Sequence, residues 1–472
     1  MKVFSIKELL DESPSLMTKE VFVNGWVKSV RSRRFIDLND GSTIKDLQIV
    51  IEGSKFASDF LKKITIGIAL RVFGTIVISL GKKQSIEIIA KEIKIYSEIS
   101  HNYLRGTILQ PKHHSFEKLR EQAHLRFRTR LFSAILRIRH QLAFSIHHFF
   151  HKHNFYYIHT PIITTSDAEG AGKMFRITSF NLENIPNHGY LDDFFGCSTY
   201  LTVSGQLAGE TAAMALGKIY TFGPTFRAEN SNTSRHLSEF WMVEPEMAFY
   251  ELEDNMDLAE TLLKSLLNDV LNNCVEDLDF LNWSFIKNQK PKFEGQNIVE
   301  ILYFIKQHSF ARVSYSEAIE ILLSSNLNKK GKFKYPIRWG MDLQSEHERF
   351  LVDKYFGVPV IIFDYPADIK AFYMRINDDS KTVRAMDVLF PRIGEIIGGS
   401  QREERYDILL NRMKAFQIDE KVLWWYLDTR RFGSAPHSGF GLGLERLVQF
   451  TTGMSNIRDV IPYPRTPKHA DF

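Results

Sequence analysis

The 472-residue sequence is poor in cysteine and contains no long apolar run. Its two cysteines, Cys197 and Cys274, are far apart and form no C-x-x-C pair, so neither a disulfide framework nor a cysteine-based zinc site is indicated. No apolar run approaches the roughly 18 residues of a transmembrane helix. The N-terminal MKVFSIKELL has no apolar core of the kind found in signal peptides. We therefore expect a cytoplasmic protein.

The sequence also has little excess charge of either sign. Lys and Arg number 60 and Asp and Glu 56, giving a formal net charge of +4, so any nucleic-acid contact must come from local patches. One such patch is residues 101–155, with ten Lys or Arg against two Asp or Glu, which indicates contact with a phosphate backbone. The apolar fraction of 44% is that of a globular protein, and the length allows about two or three domains.

Short strand-like runs separated by turn residues fill the predicted first domain, residues 1–103. The runs are 21–30, 35–38, 47–52, 69–80 and 86–95, with a helix expected near 56–64. Five such strands with one helix predict an OB-fold β-barrel, a common binder of single-stranded nucleic acid. Basic residues such as Arg31 beside Phe35 would place charge for phosphates next to a ring that stacks on bases, although a solvated hairpin with a core Phe explains them equally well.

Residues 104–128 are a predicted connector, and residues 129–472 a second domain of mixed helices and strands. Apolar residues at Leu131, Ile135, Ile138 and Leu142 predict a long helix over about 127–153. Further helices are expected at 208–216, 255–274 and 316–325, strands at 220–227, 237–248, 358–363, 371–376 and 383–390, and a loop at 283–295. The alternating aromatic and β-branched strands predict an α+β domain on a large, mainly antiparallel sheet with flanking helices.

The hairpin around residue 230 carries the most specific pattern. Phe226-Arg227-x-Glu229, a polar loop, and then Arg235-His236-x-x-Glu239-Phe240 resemble motif 2 (about 220–248) of the class II aminoacyl-tRNA synthetases. The run RAENSNTSRHLSEFWMVEPE resembles the asparaginyl branch of the aspartyl, asparaginyl and lysyl subgroup. An ordinary hairpin with a surface Arg–Glu pair would explain these residues alone, but two other stretches support the resemblance.

Those stretches resemble motifs 1 and 3 of the same enzymes. The long helix followed by a strand containing Pro161 resembles motif 1 (about 129–163), which implies a two-fold homodimer. The glycines of Pro436-His437-Ser438-Gly439-Phe-Gly441-Leu-Gly443, followed by Arg446, resemble motif 3 (about 437–452). Alternating glycines alone are weak evidence, since tight packing between strand and helix also requires them. With the barrel in front, the resemblance covers nearly the whole chain and implies a class II catalytic domain.

The resemblance implies an ATP site and a magnesium site in the second domain. Arg227 would contact the α-phosphate and Arg446 the γ-phosphate, while Phe240 would stack on adenine. Carboxylates at Asp387 and Glu395 are hard oxygen ligands suited to Mg²⁺ on ATP phosphates. The implied catalytic residues are Arg227, Arg446 and Glu395, and the implied ATP-binding residues are Arg227, Glu229, His236, Phe240, Glu395 and Arg446.

The resemblance also implies an amino-acid site and an anticodon site. The implied amino-acid-binding residues are Glu169, Ser204, Gln206, Glu210, Glu244 and Arg402, and the implied anticodon-binding residues are Arg31, Phe35 and Gln48. Asparagine and aspartate have nearly the same shape, so the site must distinguish an amide from a carboxylate by hydrogen-bond polarity. Arg402 would donate to the amide oxygen, and Glu210 or Glu244 would accept from its nitrogen. Aspartyl enzymes have a Lys where this chain has Gly209, which favours asparagine.

The function implied is ATP-dependent activation of L-asparagine and its transfer to tRNA(Asn). Three alternatives stay open at this point. An aspartyl enzyme of relaxed specificity is disfavoured by Gly209, and an ammonia-dependent asparagine synthetase by the predicted barrel. A non-catalytic paralogue is disfavoured because Arg227, Phe240 and Arg446 are all present.

Overall fold

The structure is a computed structural model that describes residues 2–53, 55–81, 84–99, 102, 106–110, 112, 114–166, 174–181, 183, 189–287 and 297–472. The chain divides into two compact units, residues 1–137 with Phe472, and residues 138–471. None of the helices in the described ranges is long and apolar enough to cross a lipid bilayer. The predicted domain boundaries at residues 103 and 128 stay predictions.

The first unit contains the predicted barrel. Its strands are β1 (Val3–Phe4), β2 (Glu20–Arg31), β3 (Phe35–Asn39), β4 (Leu47–Val50), β5 (Ala69–Ile78) and β6 (Ile86–Ile95). The order β2-β3-β4-β6-β5 closes because β5 also pairs with β2, while the short β1 adds in parallel to β2. The helices described in this unit before the long helix are Ile6–Asp11, Ser13–Leu16, Ser58–Lys62, Phe116–Glu121 and Ala123–Arg126.

The barrel interior follows from strict alternation along its strands. In β5, Leu70, Val72 and Ile76 are fully buried while their neighbours are only half-buried, as the two-residue period of a strand requires. Gly74 occupies the remaining inward position. A Cβ there would lie 2.3 Å from the carbonyl oxygen of Ile89, so only glycine fits at the point where the β5–β6 register shifts.

The second unit is built on an eight-stranded sheet in the order β13-β14-β15-β16-β17-β12-β11-β7. The strands of this unit are β7 (Tyr156–Tyr157), β8 (Ile163–Thr164), β9 (Arg176–Ile177), β10 (Thr199–Leu201), β11 (Lys218–Phe226), β12 (Glu239–Ala248), β13 (Ala311–Ser314), β14 (Val360–Pro366), β15 (Thr382–Phe390), β16 (Gly394–Gln401) and β17 (His437–Gly443). Only the outermost pairings, β13–β14 and β11–β7, are parallel. The predicted mainly antiparallel sheet is thus confirmed, and β8, β10 and β9 form a smaller sheet.

Helices flank this sheet and position its strands. They are Arg130–Lys152, Gln206–Leu216, Leu252–Asn273, Val275–Lys287, Ile298–Gln307, Tyr315–Ser324, Asn326–Lys329, Ser345–Arg349, Tyr406–Ala415, Trp424–Arg431 and Leu444–Thr452. Helix Leu252–Asn273 buries a helical-period stripe that includes Ala259, Leu262 and Leu266, and it packs on β15, β16 and β17. Helix Gln206–Leu216 packs on β11 and β12.

Two predicted elements were wrong. The strand expected at 371–376 is irregular, with isolated bridges at Met374 and Ile376. There the Arg412 guanidinium donates to the carbonyl oxygen of Ala371 at 3.0 Å, so that carbonyl is bonded to a side chain instead of a neighbouring strand. The loop expected at 283–295 is wrong over 283–287, where helix Val275–Lys287 continues, and the remainder of that prediction lies outside the described residues.

Candidate active site

Three adjacent strands of the large sheet, β12, β17 and β16, form the base of the candidate site. Phe240, Glu244 and Glu246 are separated by even numbers of residues on β12, so their side chains share one face. On the middle strand, Gly439 lies opposite Glu246 on one side and Ser400 on the other. Because a glycine has no side chain, groups from β12 and from the end of β16 can meet above β17.

Arg402, the residue that directly follows β16, makes one of these contacts. Its Nη2 donates to Oε1 of Glu246 at 2.6 Å and its Nε to Oε2 at 3.2 Å, while Nη1 donates to the Ser400 hydroxyl at 2.8 Å. Burial raises the pKa of the Glu246 carboxyl, and the guanidinium opposes that shift. The sequence interpretation named Arg402 but missed Glu246. Its position could have been inferred from the sequence, because Glu246 lies two residues from Glu244 and therefore on the same face of the strand.

Glu210 is the centre of a second buried network. Its Oε2 accepts from Arg430 Nη2 at 2.8 Å and from the Tyr426 hydroxyl at 2.7 Å, and it lies 3.0 Å from His437 Nε2. Burial alone would raise the pKa of Glu210, but Arg430, His437 and Arg402 together hold it below its usual range. Glu210 is therefore an ionised carboxylate whose Oε1 also lies 3.7 Å from Arg402 Nε.

The other two polar residues predicted for the amino acid lie beside Glu210 and Glu244. Gln206 Nε2 donates to Glu210 Oε1 at 3.0 Å, and Ser204 Oγ donates to Glu244 Oε1. Glu244 Oε2 also accepts from the Gly205 amide at 2.9 Å and the Thr221 hydroxyl at 3.1 Å. The structure thus brings the predicted amino-acid residues together, except Glu169, which lies outside the described residues.

The ends of β11 and β12 place the predicted adenine-binding group next to Arg227. The Arg227 guanidinium lies 5.4 Å from the centroid of the Phe240 ring, a cation–π contact. The Arg227 amide donates to the Ser238 carbonyl at 2.9 Å, which extends the hairpin beyond the paired strands. An aromatic ring, on which a base could stack, and a positive charge, which could contact a phosphate, therefore lie next to each other.

The loop of this hairpin holds the other residues predicted for ATP. His236 Nδ1 lies 2.5 Å from the Thr233 hydroxyl, and burial lowers the pKa of His236. Glu229 is exposed and lines a cavity of about 500 Å³ with Arg465 and His469. Arg235, which the sequence interpretation did not assign a role, reaches across to Ser345 Oγ at 3.2 Å.

The predicted magnesium ligands converge on β15 and β16. A Cβ added to Gly398 would lie 3.0 Å from Glu395 Oε1 and 3.5 Å from Asp387 Oδ1, so both carboxylates overhang this glycine. Arg446 Nη1 donates to the Glu395 carbonyl oxygen at 2.7 Å, which fixes the guanidinium beside the same group. Burial raises the pKa of Asp387 despite its ion pair with Lys370 at 2.7 Å.

Glu348, on helix Ser345–Arg349, is a third carboxylate near this position and was missed from the sequence. Its Oε2 would lie 2.6 Å from a Cβ on Gly394, and Arg235 Nη1 would lie 3.6 Å from the same point. Burial, followed by the charges of Glu395 and Asp387, raises the pKa of Glu348 to about 7. This crowding of like charges fits a bound cation.

The donor set fits magnesium held jointly with a substrate. Across the described ranges, no three His, Cys, Asp or Glu side chains are arranged to hold a metal ion alone. Mg²⁺ typically takes one or two carboxylates and completes its shell with phosphate oxygens and water. Asp387 and Glu395 could supply those carboxylates, and phosphate oxygens of a bound substrate would have to supply further ligands.

The raised pKa of Glu348 makes a prediction about stability in the absence of Mg²⁺. Between about pH 5 and pH 8 the unfolded carboxyl ionises before the folded one, so the folded state loses stability as the pH rises. Glu348→Gln removes this penalty and is expected to raise the free energy of unfolding by about 1–3 kcal/mol more at pH 8 than at pH 5. Chemical denaturation in EDTA at the two pH values measures the difference.

Glu346 on the same helix is the matched control. It accepts from the amides of Lys334 and Tyr335, and its pKa is lowered, so it stabilises the fold above its unfolded pKa. Glu346→Gln is therefore expected to lower stability at pH 8, the opposite sign. An equal effect of Glu348→Gln at both pH values would contradict the assigned cause.

On the barrel, the three predicted anticodon residues lie on β2, β3 and β4. Arg31 Nη2 donates to Gln48 Oε1 at 2.9 Å and to Asp37 Oδ1 at 2.8 Å. Gln48 Nε2 donates to Glu87 Oε2 at 2.7 Å, which fixes the amide orientation. Phe35 is half-buried beside them, so the barrel surface carries a ring, an oriented amide and a cation.

Comparison with known proteins agrees with this geometry. Residues 115–467 match the family described as tRNA synthetases class II (D, K and N), and residues 21–96 match the OB-fold nucleic acid binding domain. The chain is 54% identical over 480 aligned residues to an asparagine–tRNA ligase of Cytophaga hutchinsonii and 55% identical to one of Azobacteroides pseudotrichonymphae, covering 100% of each protein.

Solved structures give the same result. The asparaginyl-tRNA synthetase of Pyrococcus horikoshii complexed with asparaginyl-adenylate is similar with a TM-score of 0.84 and 31% identity, over 100% of this chain and 99% of that one. The corresponding Entamoeba histolytica enzyme is similar with a TM-score of 0.82 and 27% identity over 100% and 99%. The barrel, the three motifs and these matches together show that the chain belongs to the class II tRNA synthetases of the aspartate, lysine and asparagine group.

Proposed function

We propose that this protein is an asparagine–tRNA ligase, which activates L-asparagine with ATP to asparaginyl-adenylate and transfers it to the 3′ end of tRNA(Asn). The observation that carries the proposal is the full-length match to asparagine–tRNA ligases at 54–55% identity. The buried polar pocket around Arg402 supports it, because that pocket has the hydrogen-bonding groups an amide side chain needs.

The first step requires positioning and charge stabilisation more than proton transfer. The α-carboxylate of asparagine is already ionised at neutral pH, so its attack on the α-phosphorus needs no general base. Negative charge builds on the phosphate oxygens during that attack. Arg227 at the α-phosphate and Arg446 at the γ-phosphate would stabilise this charge, and Phe240 would hold the adenine so that the attack is in line.

Selection of asparagine depends on the polar groups of the pocket. Arg402 would donate to the side-chain oxygen, while a carboxylate would accept from the side-chain nitrogen and repel aspartate. Glu244 and Glu210 are both 5% exposed or less, so a mismatched partner would leave a buried group unpaired. Such mismatches give discrimination of about 10⁴-fold.

The proposed Mg²⁺ would be held by Asp387 and Glu395, with Glu348 beside them. When bound, the ion would neutralise phosphate charge. Glu395 Oε2 also forms an ion pair with Arg446 Nη1 at 3.6 Å, so the same carboxylate would orient the guanidinium proposed to contact the γ-phosphate.

We propose further that the protein is a homodimer and that it acts in the cytoplasm, where its substrates ATP and tRNA occur. Motif 1 supports the dimer. Its helix and strand expose large apolar side chains at Phe144, Tyr156 and Tyr157, each more than 40% exposed. Exposed apolar surface is typical of subunit interfaces, where a second copy would remove these side chains from water.

The proposal is tested by amino-acid-dependent ATP–pyrophosphate exchange on purified protein, with asparagine and aspartate measured side by side. Exchange with asparagine alone is expected. Exchange with aspartate alone, or equally with both, would replace the proposal by the aspartyl alternative. If neither amino acid supports exchange even when tRNA is added to the assay, the result would favour a non-catalytic paralogue.

Phe35 makes a prediction that separates tRNA recognition from activation. Stacking of a base on an aromatic ring contributes about 1–3 kcal/mol. Phe35→Ala is therefore expected to lower kcat/KM for tRNA in aminoacylation by about 5- to 150-fold. Exchange without tRNA should stay at the wild-type rate. Phe56, an aromatic residue of the same unit in contact with Phe60, is a matched control whose replacement by Ala should not affect tRNA selection.

A further inference from the structure

The Arg402–Glu246 pair is almost fully buried. Arg402 is 2% exposed and Glu246 1% exposed. Glu246 occupies one edge of the guanidinium through Nε and Nη2, and Ser400 takes a further N–H on Nη1. The planar fork is therefore fixed in the absence of substrate, with N–H groups of Nη1 and Nη2 left for a ligand.

Gly439 makes the space that Glu246 occupies, because a Cβ there would lie 2.3 Å from both carboxylate oxygens of Glu246. A Cβ on Gly209 would lie at ordinary contact distance, 3.7 Å from the Glu246 Cγ. Gly439 is itself held from behind, because Asn255 Nδ2 donates to its carbonyl oxygen at 3.0 Å. The Glu246 carboxylate thus has a defined position, enclosed by backbone on one side and by Arg402 on the other.

Glu246 also sets the charge of the pocket. Arg402 and Arg430 are buried guanidinium groups of this pocket, and Glu246 and Glu210 are the carboxylates that pair with them at 2.6 Å and 2.8 Å. Each of these guanidinium groups thus faces one carboxylate at ion-pair distance before any substrate enters. Since Glu244 adds a further buried carboxylate, a neutral amide can enter at little electrostatic cost, whereas a second carboxylate would leave uncompensated negative charge.

We propose that Glu246 is a positioning residue that holds Arg402 in place and, by neutralising it, makes the pocket favour the neutral side chain of asparagine over the anionic side chain of aspartate. This rests on the proposed function. Glu246 need not contact the substrate, since it acts through Arg402. Because Gly209 has no side chain, position 209 adds no further charge to this pocket.

The test is ATP–pyrophosphate exchange by Glu246→Gln with asparagine and with aspartate. Gln has the same shape but leaves the Arg402 charge uncompensated. We expect KM for asparagine to rise by at least about 10-fold with KM for ATP unchanged, and the aspartate-to-asparagine ratio of kcat/KM to rise by at least about 10-fold. An unchanged ratio, including an equal loss for both amino acids, would overturn the proposal.

Glu403→Gln is the matched control, because Glu403 is also fully buried and pairs with an arginine, Arg405, at 2.7 Å. It is expected to lower stability without changing the ratio. If Glu246→Gln does not fold, Gly439→Ala serves instead, since its methyl group would displace the Glu246 carboxylate from Arg402. The same rise in ratio is expected, and an unchanged ratio overturns the proposal.

The wild-type arm separates this inference from the function on which it rests. Wild-type exchange with asparagine but an unchanged ratio in the variants overturns only the role of Glu246. Absence of asparagine exchange by the wild type overturns both.

Discussion

Replacing Arg402 with alanine is expected to lower kcat/KM for asparagine activation by about 10³- to 10⁴-fold. The variant would remove the donor to the side-chain oxygen of asparagine and leave that oxygen unpaired in a buried pocket. It would also leave Glu246 without its partner. ATP–pyrophosphate exchange at saturating ATP measures the loss, and circular dichroism shows whether the fold is kept.

The fold should survive at neutral pH in spite of the buried Glu246. Burial already raises the pKa of this carboxyl, and Arg402 opposes the shift. Without the guanidinium the carboxyl would take up a proton and become neutral, which costs little compared with burying an unpaired charge. Arg405→Ala is the control, because Arg405 is half-buried and pairs with Glu403 away from the pocket. Near-normal exchange by Arg402→Ala would remove Arg402 from the site.

The second large effect is expected for Arg227→Ala, which should lower kcat for asparagine-dependent exchange by about 10²- to 10³-fold. A guanidinium placed at the α-phosphate, as proposed for Arg227, would stabilise charge that develops only in the transition state, so its loss should act on kcat more than on KM for ATP. Steady-state exchange over a range of ATP concentrations separates the two constants.

Phe240→Leu is the contrasting variant. Leucine keeps an apolar surface but loses the ring that lies 5.4 Å from Arg227, so weaker stacking on adenine should raise KM for ATP with a smaller change in kcat. If Arg227→Ala instead raised only KM and left kcat unchanged, the residue would bind ATP without stabilising the transition state.

Much of the fold could be read from local pattern. The β5 alternation and the stripe of helix Leu252–Asn273 follow from periods of two and 3.6 residues, which local sequence determines. The strand predicted at 371–376 failed because the guanidinium of Arg412, about forty residues further on, bonds to its carbonyl groups. No local pattern contains a contact of that range.

The residues of the candidate site also divide into those that local sequence predicted and those that it did not. Arg227, Phe240 and Arg446 were predicted because they lie within short motifs whose order along the chain is distinctive. Glu246 and Glu348 were not, because their partners are distant in sequence: Glu246 and Arg402 are 156 residues apart. Glu244 and Glu246 both face the pocket from one strand, and the sequence could not tell which of them pairs with Arg402.

The sequence by itself determined the family, the barrel, the order of the three motifs and the residue types that ATP and an amide require. Only the tertiary structure decided which carboxylate neutralises which guanidinium, since that depends on the register of β12, β17 and β16 and on the space left by Gly439. Charge pairing in a buried pocket is a property of three-dimensional proximity, because Coulomb interactions depend on distance through space and not on distance along the chain.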